Sequence, residues 1–152
     1  MAVTYQQENF RAAWAEIQQL LNDHWREVAL NHDDIPLDPD EERYFALCDS
    51  GALHLLTARS DGELVGYHIS IISGHLHYRS TPHAFVDVYF LKKPYRRGMT
   101  GVRLIKEAEK SLKALGAKKI FTGTKLHDDL DRSKVFERLG YKLIEHMYAK
   151  LI

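Results

Sequence analysis

Lys92, Lys93, Arg96 and Arg97 crowd the end of an apolar run, Val86 to Leu91, and lead through Gly98 and Gly101 into an amphipathic stretch that stops at Gly116. A strand, a basic glycine-containing turn and a helix in that order suit an anion. The turn offers backbone N–H groups at the positive end of the helix, and the side-chain cations add formal charge beside them. Arg96-Arg97-Gly98-Met99-Thr100-Gly101 has neither the G-x-G-x-x-G spacing of a dinucleotide fingerprint nor the Gly-Lys-Ser/Thr ending of a P-loop. NAD and ATP are therefore not the expected anions.

Asp87 sits inside the strand that feeds this turn. Alternation along Phe85-Val86-Asp87-Val88-Tyr89-Phe90 puts Val86, Val88 and Phe90 on one face, suited to packing under the helix after the turn. Asp87 falls on the other face with Phe85 and Tyr89. A carboxylate among apolar neighbours is expected to be partly desolvated, as a general base requires. The competing reading is a structural carboxylate held by N–H groups or an arginine. Tyr89 reads as a cleft wall near that base, with a hydroxyl that makes it a second candidate catalytic group. Gly74-His75-Leu76-His77-Tyr78 puts two histidines on one strand face, with His83 shortly after. A metal site would need further ligands that the sequence does not supply, so no metal is expected. His77 is instead a candidate catalytic group and Tyr78 a candidate substrate contact. Six carboxylates in the ten positions from Asp33 to Glu42 form an acidic stretch. Asp33 and Asp34 there could draw in a cationic substrate, against the plainer reading of a solvated loop with a helix cap.

Composition narrows the classes. The 152 residues, 45% hydrophobic, suit one domain over 1–152 with a real core. Twenty-one basic and twenty-one acidic residues balance, which argues against a broad nucleic-acid surface. Cys48 is the only cysteine, so neither a disulfide framework nor a cysteine-rich zinc site is expected, and no base neighbours it to activate a covalent route. The first residues lack the charged and apolar segments of a signal peptide, and no apolar run approaches the ~20 residues that span a bilayer. Cytoplasmic residence without membrane partners is the expectation, and self-association into a homodimer stays open.

The elements that must position these groups follow from periodicity. Val3 to Gln6 reads as a strand, and Phe10 to Val28 as a helix with one apolar stripe. Asp38 or Asp40 can cap a second helix ending near Gly51. Leu53–Arg59 and Glu63–Ser73 form a hairpin about Asp61-Gly62, with Gly74 to Arg79 extending its second arm. His83–Leu91 is a strand, Thr100 caps the next helix, and Gly116 ends it. Lys118–Lys125 is a strand, Asp131 caps a last helix that ends at Gly140, and Tyr141 to Leu151 is a closing strand. A hairpin ahead of a strand–helix–strand unit gives an α+β mixed sheet rather than repeated βαβ units.

These features together resemble the GCN5-related N-acetyltransferases, the GNAT superfamily, and most of all its short single-domain bacterial and phage members. The turn is similar to the family's R-x-x-G-x-G/A pattern. Arg96 and Gly101 fall on its first and last positions, while Met99 stands where the inner glycine is usual, with Gly98 beside it. Lys134 to Tyr141 is similar to the family's last helix, and the element order matches over nearly the whole chain. The resemblance implies a mostly antiparallel sheet splayed between its fourth and fifth strands and flanked by about four helices. It implies acetyl-CoA as cosubstrate, its pantetheine beside Phe90 and Leu91 and its pyrophosphate on the N–H groups from Arg96 through Arg97, Gly98, Met99 and Thr100 to Gly101. Asp87 would be the base that takes a proton from a primary amine attacking directly. The family's tyrosine acid for the departing thiolate aligns with Phe136, which has no proton to give; Ser133 is one substitute. The alternative is a weak or inactive module that binds CoA or a protein partner.

Overall fold

Asn9 ends the first strand and starts the first helix at once: its side chain accepts from the N–H of Ala12 at 3.1 Å, satisfying a donor that the helix cannot. Residues 2–127 and 129–152 are described in a computed structural model. The strand is β1 (Val3–Glu8) and the helix α1 (Phe10–Val28), followed by α2 (Glu41–Asp49), β2 (Leu53–Ser60), β3 (Glu63–His75) and β4 (Tyr78–Leu91). After a short 3-10 turn at Lys93–Tyr95 come α3 (Thr100–Ala114), β5 (Lys119–Phe121) and α4 (Ser133–Arg138).

The five strands form one sheet in sequence order, antiparallel from β1 to β4 and parallel between β4 and β5. Spacing of three and four along α1 puts Phe10, Ala13, Trp14, Ile17 and Leu20 on one face. They pack on Leu55, Leu64, Tyr67, Ile69 and Phe90, with α2 adding Tyr44 and Phe45. The opposite face, Leu56, Ala58, Val65 and Leu91, is covered by Leu104 and Ala108 of α3. Helices thus cover both faces of a mixed sheet. Burying a side chain such as Ile17, fully excluded from solvent, is worth about 1.5–3 kcal/mol.

Several local signals hold. Asp61 and Gly62 both have positive φ, 49° and 84°, as a two-residue hairpin that matches strand twist demands. Asp40 caps α2 through the N–H of Arg43 at 2.9 Å. Gly116 and Gly140 follow their helices as expected, whereas Arg132 and not Asp131 holds the cap position of α4; Asp131, one residue earlier, accepts from the N–H of Ser133 at 2.8 Å.

Four expectations need correcting. Gly74 to Arg79 does not extend a hairpin arm: β3 stops at His75, the chain turns through Leu76 and His77, and β4 begins at Tyr78. Met99, not Thr100, occupies the cap position of α3, and the Thr100 hydroxyl donates to the carbonyl of Arg97 at 3.1 Å. The strand expected over Lys118–Lys125 contracts to Lys119–Phe121. No strand forms over Tyr141 to Leu151. Among the described residues no helix is long and apolar enough to cross a membrane.

Candidate active site

Where β4 leaves β5, the sheet opens. The two strands pair only at His83–Lys119, Ala84–Ile120 and Phe85–Phe121, so from Val86 to Leu91 the outer edge of β4 faces no strand among the described residues. Parallel strands that part in this way leave unpaired edge groups on both arms.

Asp87 lies at that point because of a bulge. Ile69 pairs with Val88 and Ser70 with Val86, which leaves Asp87 as the extra residue. Simple alternation placed Asp87 opposite Val88 and put Val88 and Phe90 under the helix after the turn. Instead Val88 and Phe90 pack on the α1–α2 side, and the bulge re-aims Asp87 to that same side, where the Tyr44 hydroxyl donates to its Oδ2 at 2.5 Å. The carboxylate is also exposed, not enclosed by apolar neighbours as expected. Oδ1 has no partner among the described residues. Burial first, and then the hydrogen bond to Asp87, raises the pKa of Tyr44, so it stays a donor at any physiological pH.

Next along β4, Tyr89 points to the α3 side and its hydroxyl donates to the carbonyl of Gly123 at 2.9 Å, across the opening. Burial raises its pKa as well. Its ring meets the edge of Phe136 at 5.9 Å and 82°. Phe136 is buried and contacts Tyr141 on its other side. Ser133 donates its hydroxyl to Asp131 at 2.5 Å.

The basic turn is more selective than its composition. Arg96 forks onto Glu27 of α1 at 2.5 and 2.8 Å, donates through Nε to the carbonyl of Leu91 at 2.6 Å, and lies over the Phe90 ring. Lys92 pairs with Glu63. Lys93 and Arg97 remain exposed, so two of the four expected cations are already matched by carboxylates. The N–H of Arg96 donates to Lys93 and that of Thr100 to Arg97. Among the described residues the N–H groups of Arg97, Gly98, Met99, Gly101 and Val102 have no partner. Gly98 holds φ +54°, and a Cβ there would meet nothing within 4 Å. At Gly101 the nearest atom to such a Cβ is Leu91 Cδ2, at 4.0 Å. Neither glycine is demanded by packing, so their missing side chains leave open the space over five free donors. A pyrophosphate fits that cradle.

Not every candidate converges. Tyr78 lies nine positions along β4 from Asp87, about 30 Å at strand rise, and His77 lies at the same far hairpin. Both are exposed, and the tertiary structure separates them from the opening. Asp33 and Asp34 lie exposed on the loop after α1, whose N–H groups at Asp34 and Ile35 turn back to Asn31. Among the described residues no group of three His, Cys, Asp or Glu side chains could hold a metal ion. Sequence reasoning missed Tyr44, Glu27 and His24. His24 bonds Tyr67 through Nδ1 at 2.8 Å and stacks on Phe90 at 4.8 Å, and burial pushes its pKa down to about 4. All three read from sequence as positions on amphipathic helices, and their partners lie too far along the chain to be paired by spacing.

A mixed sheet with one parting parallel pair, a turn of unpartnered N–H groups at the end of the parting strand and a carboxylate on that strand meet at one opening. The family model described as acetyltransferase (GNAT) family matches residues 14–141, and the chain belongs to that family of acyltransferases. Among solved structures it is similar to a ribosomal-protein-alanine N-acetyltransferase from Brucella melitensis biovar Abortus 2308, at 20% identity and TM-score 0.76 over 100% of this chain and 99% of that one. It is also similar to a transcriptional regulator from Bacillus halodurans C-125, at 19% and 0.76 over 99% and 100%. An aminoglycoside N-acetyltransferase in complex with CoA matches at 17% and 0.74 over 99% and 95%. At these identities the likeness is one of fold. No curated protein matches significantly in sequence.

Proposed function

We propose that the protein transfers an acetyl group from acetyl-CoA to a primary amine, by direct attack, at the opening between β4 and β5. The observation that carries this is the set of five unpartnered N–H groups from Arg97 to Val102 beside an unpaired β4 edge that bears Asp87. When bound, acetyl-CoA supplies an activated acyl group and a thiol as leaving group. The free edge at Phe90 and the turn from Arg97 to Gly101 hold it through main chain, and Arg96 fixes the turn to α1. The CoA complex of a protein with this fold supports the choice of ligand.

An amine with pKa ~10.4 is unprotonated in roughly one molecule in a few thousand at pH 7, so deprotonation is the first task. Asp87 receives that proton on Oδ1 while Tyr44 holds Oδ2, and the exposure of the carboxylate lets it pass the proton to water. Tyr89, in edge contact with Phe136 on the parting strand, takes the part of proton donor that Phe136 cannot play, by releasing its hydrogen bond to the Gly123 carbonyl. Asp33 and Asp34 attract the cationic acceptor to the side of the opening near the end of α1. Cytoplasmic action agrees with a single free thiol.

The test is release of free thiol from acetyl-CoA by the purified protein against polyamines, aminoglycosides, amino acids and peptides. Turnover with any amine supports the reading. Tight binding without turnover of any of them would favour the second reading, a binding module, to which Phe136 alone points.

A further inference from the structure

A net charge of zero conceals a division of the chain. Residues 1–91 hold five basic and fourteen acidic side chains, a net charge of −9, whereas residues 92–152 hold sixteen basic and seven acidic ones, a net charge of +9. Folding keeps the two apart, because α1 and α2 cover one face of the sheet and α3 the other. Among the described residues only Lys92 and Arg96 of the second half make salt bridges, to Glu63 and Glu27 of the first. The remaining cations are unmatched, and four of them gather on α3. At spacings of three, four and three, Arg103, Lys106, Lys110 and Lys113 fall within about 80° of the helix circumference and span about 15 Å along its axis. All four are exposed. The two acids of the helix flank this stripe rather than interrupt it, and Glu109 bonds Tyr141. Helix stability does not account for the arrangement: like charges three and four apart weaken a helix, and Arg103 stands in the first turn, where cations are disfavoured.

We propose that this face of α3 docks the phosphate backbone of a nucleic-acid duplex. One strand carries a phosphate about every 3.4 Å of axis, so a row of four cations about 15 Å long meets about four phosphates. The other polyanionic partners fit less well. A membrane-bound helix must lay an apolar face into the lipid, and the apolar face of α3, with Leu104, Ala108 and Leu112, is buried in the protein. A protein partner draws on aromatic and apolar anchors, in contacts where lysine is depleted. The exposed apolar side chains nearest the stripe, Met99 and Leu115, stand at the two ends of the helix and not within it. Single strands bind by stacking bases on aromatic rings, and α3 has no aromatic residue. What it offers is a charged rail for a backbone whose bases face inward, held without regard to sequence. Lys118, also exposed, extends the rail past Gly116. This inference does not rest on the catalytic reading, since Lys106, Lys110 and Lys113 lie more than one turn beyond Gly101.

The experiment is fluorescence anisotropy with an RNA duplex and a DNA duplex of the same sequence, each of about 20 base pairs, at about 50 and 200 mM salt. Three full-length proteins are compared: the native chain, the triple variant Lys106→Gln, Lys110→Gln, Lys113→Gln, and a control, Arg26→Gln, Arg43→Gln, Arg79→Gln. The control removes the same charge from exposed positions outside α3. Four phosphate contacts predict that native affinity falls about 100-fold between the two salts, alike for both duplexes. The α3 variant should bind about 10-fold or more weakly at low salt and lose most of the salt dependence, whereas the control keeps both. Circular dichroism should be the same for all three. A native protein that binds neither duplex at the lower salt overturns the proposal, as does an α3 variant with native affinity and salt dependence. A control that loses as much as the α3 variant also overturns it, because the effect is then one of net charge and not of this face. Binding of phosphatidylserine vesicles or polyglutamate in place of either duplex overturns it too, in favour of a membrane or an acidic protein.

Discussion

The Tyr44 hydroxyl donates to Oδ2 of Asp87 at 2.5 Å and so ties the second helix to the bulge in β4. A carboxylate in an ordinary strand would turn with its neighbours. Here one inserted residue turns Asp87 toward α2, and a half-buried phenol holds one of its oxygens while the other has no partner among the described residues.

Asp87→Asn should lower kcat at pH 7 by about 10²-fold or more, the usual worth of a general base. The loss should shrink as pH rises, because free amine then becomes abundant. A pH–rate profile checks this, and a loss of equal size at every pH would mark Asp87 as structural. Tyr44→Phe should cost less than Asp87→Asn, since it frees the carboxylate without removing it.

Gly101→Val should abolish binding of acetyl-CoA while leaving the fold intact. A Cβ at this position meets only Leu91, at 4.0 Å, so the fold can accept it, while the added branch crowds the turn that bears the free N–H groups. Calorimetry with acetyl-CoA, beside thermal melts, separates the two effects. Unchanged affinity would remove the pyrophosphate cradle from this turn.

Glu27→Gln should destabilise the protein by about 2 kcal/mol, because it leaves the half-buried Arg96 fork without its charge partner. For a chain of this size that is a fall in Tm of about 4–8 °C. The hydrogen bonds from Arg96 hold the Glu27 pKa below its ordinary 4.5. The stabilisation is therefore fully present above that value and is lost as pH falls through the lowered one. Melts from pH 7 down to 3 should show native and variant proteins converging.

Phe136→Tyr should raise turnover modestly or leave it unchanged, whereas Tyr89→Phe should lower it by about 10-fold or more. A thiol with pKa ~8.5 leaves far more readily than an amine, so an acid accelerates its departure without being indispensable. Recovery of Tyr89→Phe by a second change, Phe136→Tyr, would show that the two positions share one proton-donating task. Equal activity of Tyr89→Phe and native protein would leave Tyr89 as a wall of the cleft.

Asp33→Asn with Asp34→Asn should raise KM for a polycationic acceptor severalfold at low salt and leave that for acetyl-CoA unchanged. Steady-state kinetics at two ionic strengths test it.

Features decided by near neighbours in the chain were legible in the sequence by itself. The α1 stripe from Phe10 to Leu20, the cap at Asp40, the Asp61-Gly62 turn and the glycine turn before α3 depend on period, side-chain reach and φ alone, all set within a few residues. What the tertiary structure decided are the pairings between distant segments. A bulge opposite Ile69 and Ser70 turned Asp87 to the other face, because register with β3, not alternation within β4, sets where an extra residue goes. Glu27 drew Arg96 away from the turn, 69 positions along the chain, since a fork of charge-assisted hydrogen bonds outweighs exposure to water. The strand composition of residues 141–151 is equally legible, but a strand exists only where an edge receives it, and among the described residues this segment pairs with none.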